Sequence, residues 1–69
     1  MARIVSISRD DARDAKHRPP LWLVTGTDRN DGSRVTFTAT DGLVKALKIT
    51  APTSVPVPPS DVIKVEEAS

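Results

Sequence analysis

From Leu21 to Thr40 the chain reads LWLVTGTDRNDGSRVTFTAT, two β-prone runs on either side of a dense cluster of turn formers. In the second run Val35, Phe37 and Ala39 alternate with Arg34, Thr36, Thr38 and Thr40, the period of a strand with one buried and one wetted face. The first run, Leu21 to Thr27, begins apolar on both sides and ends polar, which suits a strand near the middle of a sheet. Between them lies Asp28-Arg29-Asn30-Asp31-Gly32-Ser33, with Gly32 free to take positive φ. An antiparallel hairpin follows, and any fold must be built around it.

The flanks add strands. Residues 2–7 (ARIVSI) are rich in β-branched side chains, and residues 61–67 (DVIKVEE) close the sequence as a last strand with Ile63 and Val65 inward. Trp22 has the opposite parity to Thr25 and Thr27 and belongs with the core. Residues 8–20 carry Ser8 and Asp11 at capping-box spacing, but Ala12 and Ala15 give a helix almost nothing to bury, so the segment reads as a mobile, charged surface loop, helical at most in part. Pro52, Pro56, Pro58 and Pro59 make 50–60 an extended connection or a sheet edge. For 42–49 two readings stand side by side: Asp41-Gly42 as a hairpin turn followed by a strand, or a short helix capped by Asp41 with Leu43, Val44 and Leu47 on one face and Lys45 and Lys48 nearer solvent.

The expected fold is mainly β, a single small domain over 1–67. It takes the form of an SH3-like or OB-like barrel, or a curved antiparallel sheet of four to five strands, with one short helix at 42–49 as the alternative there. Only Trp22 and Phe37 are aromatic among 69 residues, so the core is thin and aliphatic. Without cysteine there is no disulfide or thiolate metal site, and self-association is the remaining way to add stability, which makes a homodimer the expected state. No apolar run has the length of a membrane span, and MARIVSIS lacks the features of a secretory signal, so the expectation is a cytoplasmic protein with no membrane partner.

Chemistry is sparse. Asp10, Asp14 and His17 would align on a helix, but nothing apolar supports a metal or catalytic centre there, and a solvated charge cluster is the simpler reading. The three glycines match no phosphate-loop spacing, and PVPP lacks the flanking arginine of an SH3 ligand. The chain therefore reads as non-enzymatic, with neither cofactor nor metal. What remains is a binding module, first of all a nucleic-acid-binding accessory factor using a basic edge of Arg3, Arg29, Arg34, Lys45 and Lys48, with Thr36 and Thr38 lining it. The alternative is a protein–protein interaction or assembly module, an inhibitor or structural subunit. Charge balance tempers the first: the net charge is +1, though residues 1–18 carry five Arg/Lys against three Asp.

Overall fold

A computed structural model describes residues 2–68. Its elements run β1 (Arg3–Ile7), α1 (Arg9–Arg13), β2 (Lys16–Arg18), β3 (Leu21–Asp28), β4 (Arg34–Ala39), α2 (Asp41–Thr50), β5 (Thr53–Val57), a 3₁₀ turn (Pro59–Asp61) and β6 (Val62–Glu66). All six strands join one antiparallel sheet in the order β5-β1-β3-β4-β6, and β2 also pairs with β3. The mainly β architecture is as the sequence implies, with six strands where four to five were expected.

The hairpin is the centre of the sheet. β3 and β4 pair from Trp22↔Ala39 to Thr27↔Arg34, and Gly32 in the turn has φ +79°, as its place among the turn formers requires. The other edge of β3 is shared. β1 pairs with its far end (Val5↔Asp28, Ser6↔Thr27), and β2 with its near end (Lys16↔Leu23 to Arg18↔Leu21). α1 fills the interval between the two.

The segment 8–20 is thus not a mobile loop. Ser8 and Asp11 form a reciprocal capping box, each side chain bonding the other's backbone N–H at 3.0 Å. Ala12, the one apolar residue such a short helix needs, is buried in the core. β2 is held by its ladder to β3 and turns into it through the cis Pro19–Pro20 peptide. Residues 53–57 likewise form a strand rather than a plain connector. β5 lies at the edge of the sheet, where Pro56 removes no ladder bond that an interior strand would need.

At 42–49 the helix is the form adopted. Thr40, not Asp41, is its N-cap, with Thr40 Oγ1 accepting from the Leu43 N–H at 3.2 Å, and Val44 and Leu47 are buried while Lys45 and Lys48 are exposed. α2 packs on the concave face of the sheet. There Val5, Ile7, Val24, Val35, Phe37 and Val57 meet Val44, Leu47 and Ala51 in a single core.

Two edges of this sheet are separated in sequence by only Pro58 to Asp61. Five strands laid flat would put β5 and β6 roughly 19 Å apart, whereas a link of this length containing a 3₁₀ turn reaches roughly 13 Å. The sheet is therefore strongly curled, though β5 and β6 do not pair and the barrel stays open. Curvature also explains the one error of facing in the last strand. The register shifts between Thr36 and Phe37, so β6 carries a bulge at Ile63; Val62 and Val65 face inward and Ile63 is 59% exposed.

Candidate anion-binding surface

The sheet's two faces differ in chemistry because side chains alternate along β3 and β4. On the convex face the threonines bond one another and their neighbours. Thr25 Oγ1 and Thr36 Oγ1 lie 2.8 Å apart, Thr27 Oγ1 accepts from Arg34 Nη1 at 2.8 Å, and Thr38 Oγ1 donates to the Asp61 carbonyl at 3.4 Å. Their hydroxyls are engaged within the sheet.

The arginines near the hairpin end are engaged as well. Arg34 Nη2 donates to Asp11 Oδ1 at 3.0 Å, and Arg3 Nη1 donates to Asp28 Oδ2 at 2.9 Å. Burial, the largest influence on the Asp11 carboxyl, acts to raise its pKa; the bonds from Arg34 and Ser8 together outweigh it and hold the group below the ordinary value. Asp31, in the turn, is held low by the Ser33 backbone N–H. A cleft of about 830 Å³ opens beside the turn, but Asp28 and Asp31 line it along with Arg3 and Arg29, so its charge is mixed. Of the seven residues proposed from the sequence, Arg34, Thr36 and Thr38 share the convex face, Arg3 and Arg29 line the cleft beside the turn, and Lys45 and Lys48 lie apart on α2.

The two lysines lie on α2, and there they meet groups that the sequence reading passed over. Asp41, Lys45 and Lys48 fall at i, i+4 and i+7, one stripe of the helix. Trp22 lies at the rim of the core, half-buried, with its indole N–H donating to Asp41 Oδ1 and the Lys48 ammonium 5.1 Å from its ring centroid. Opposite Trp22 on β2, His17 stacks on the indole with centroids 4.7 Å apart and planes 29° from parallel. Trp22 is therefore on the core side, as its parity requires, but as the base of a small exposed stack.

Next to the stack, where α1 meets α2, Arg9, Arg13 and Lys48 surround an open depression of about 290 Å³ floored by Ala12. Arg9 Nε donates to the Ala51 carbonyl at 3.3 Å, which fixes its guanidinium against the end of α2 while committing one donor of five. Arg13 pairs with Asp10 at 2.8 Å, an exposed contact of little energetic weight. Among the described residues neither Arg9 nor Lys48 is within ion-pair distance of a carboxylate, and the same holds for Lys16, Arg18 and Lys45.

Uncommitted cations therefore gather on α1, β2 and α2, with Lys16 and Arg18 leaning to the convex side of the edge strand and His17 to the other. Arg9, Arg13, Lys16, His17 and Arg18 stand in the stretch that the sequence presents as a solvated charge cluster, and only the packing of α1 against α2 joins them to Lys48. Among the described residues no helix is long and apolar enough to cross a membrane. Comparison of the chain with family models, curated proteins and solved structures returns no match.

Proposed function

We propose that the protein is a non-enzymatic nucleic-acid-binding module acting as an accessory factor, and that it binds through the surface made by α1, β2 and α2. The observation that carries this reading is the division of the cations. Six of the ten Lys/Arg belong to these elements, and five of those six make no ion pair among the described residues, whereas of the four elsewhere Arg3, Arg34 and Lys64 are paired and Arg29 alone is not. An unpaired surface cation adds to affinity for a polyanion by releasing condensed counterions, while a paired one must first give up its carboxylate. The His17–Trp22 stack beside them supplies an aromatic surface of the kind on which bases settle.

A near-neutral net charge is compatible with this reading because the excess is local: α1, β2 and α2, with the Asp14 that caps α1, carry six cations against four carboxylates, two of which are occupied by Arg34 and Trp22. The exposed apolar side chains Ile4, Leu21, Ile49 and Ile63 are spread over β1, β3, α2 and β6, which weighs against a single apolar interface of the assembly-module kind.

The test is a titration of labelled DNA and RNA oligonucleotides at several salt concentrations. For single strands, engagement of three to five of these cations corresponds to a log–log slope of about −2 to −3.5. No binding at low ionic strength removes the nucleic-acid reading and leaves the assembly module. A melting temperature that rises with protein concentration is the sign of the homodimer expected from the thin core under either reading.

A further inference from the structure

We propose that the depression bounded by Arg9, Arg13 and Lys48 is a phosphate subsite, and that it takes a backbone phosphate of a single strand whose neighbouring base stacks on His17. The second half rests on the nucleic-acid reading above. The first half does not.

Three positive groups from two elements converge on one small open volume, and among the described residues the carboxylates paired to any of them are the exposed Asp10 and Asp14, both on Arg13. A planar carboxylate is satisfied by one guanidinium fork. A tetrahedral phosphate presents oxygens in several directions and is matched by donors arriving from separate side chains, two forked and one a compact ammonium. The volume lies at the small end of ligand sites, suited to a terminal or bridging group whose remainder lies outside.

Preorganisation favours the site. Arg9 is anchored by the Ala51 carbonyl and Lys48 lies against the Trp22 ring, so two of the three cations keep their positions without a ligand. Lys48 also connects the halves of the proposal, since it lines the depression and touches the ring on which His17 stacks. One face of the His17 ring covers Trp22, and the residue as a whole is exposed. A base stacked there must be unpaired from its complement, which selects single strands over duplex.

Amide shift mapping by NMR on the full chain tests the two halves separately. Inorganic phosphate at millimolar concentration should produce saturable shifts concentrated at Arg9, Ala12, Arg13 and Lys48, lost in R13Q/K48Q; both side chains are exposed, so this variant should keep the wild-type melting curve. Shifts that are absent, or spread equally to Arg29 and Lys64, overturn the subsite whatever the oligonucleotides do.

In the second arm a short oligothymidylate and a duplex of equal length are compared by Trp22 fluorescence, Trp22 being the only tryptophan. The expected result is quenching by the single strand, an affinity lower by about tenfold in R13Q/K48Q, and weaker binding of the duplex. Equal or tighter duplex binding, or unchanged affinity in H17A, overturns the single-strand assignment. Saturable phosphate shifts with no oligonucleotide binding retain the subsite for a free phosphate and overturn both the single-strand assignment and the reading on which it rests.

Discussion

Arg3 and Asp28, twenty-five positions apart, meet at 2.9 Å where β1 passes the end of the β3–β4 hairpin. The carboxylate is 4% exposed and also accepts the Asn30 N–H at 2.7 Å, while the Asp28 backbone bonds Ser33 and Gly32 across the turn. One buried side chain thus fixes both the turn and the first strand. Arg3→Met leaves that carboxylate with a single donor and should cost about 1–2 kcal/mol by denaturant titration. A loss within error of zero would mean that water replaces the guanidinium at no cost.

Gly26 is required for a steric reason. A Cβ at this position would lie 2.5 Å from Ile7 Cδ1, 2.6 Å from Val5 Cγ1 and 2.7 Å from the Ser6 carbonyl oxygen, and the last of these belongs to backbone. Gly26→Ala should therefore cost about 3 kcal/mol, a large share of the stability of so small a domain. Gly42, in the first turn of α2, has only Thr40 Oγ1 within 4.0 Å, so Gly42→Ala should stabilise by about 0.5–1 kcal/mol. Equal melting temperatures for the two variants would contradict the packing of β1 on β3.

Phe37 is 1% exposed and is the largest fully buried side chain. Phe37→Ala should cost roughly 3–5 kcal/mol and abolish cooperative unfolding at room temperature. A sharp thermal transition in that variant would show the core to be supported elsewhere.

Asp11 gives stability a defined acid dependence. Its folded pKa lies below the ordinary 3.8, so the stability it supplies is complete above that value and is lost as the pH falls through the folded pKa. Asp11→Asn should lower stability by about 1 kcal/mol at neutral pH and flatten the acid limb of the curve. Part of the slope remains in the variant, because Asp31 and Glu66 are also held low, by the Ser33 N–H and by Lys64. An acid limb identical to wild type would detach Asp11 from Arg34.

The hairpin was legible because its pattern is local: alternation of Val35, Phe37 and Ala39 with threonine needs no partner to be read. β2 was not, since Lys16, His17 and Arg18 are all exposed and owe their extended form to the edge of β3. Ser8 and Asp11 announced a helix that its composition argued against; what tipped the balance was the burial of Ala12 beneath the later elements. Ile63 was assigned inward by simple alternation, and a bulge reversed it. The candidate site was the least legible part, because whether an arginine is free depends on carboxylates far along the chain, as Asp11 is from Arg34.

The position of β1 between β3 and β5 has a consequence for how the chain reaches this structure. Its ladder to β5 joins Arg3 to Val57 and Ile7 to Thr53, contacts among the most distant in sequence that the fold contains. The hairpin and α2 can form early from neighbours, but the first strand must wait, one edge unmatched, until residue 57 is available. Folding should therefore be slow for a chain of this length, and truncation before Thr53 should leave an N-terminal strand exposed to whatever edge it meets first.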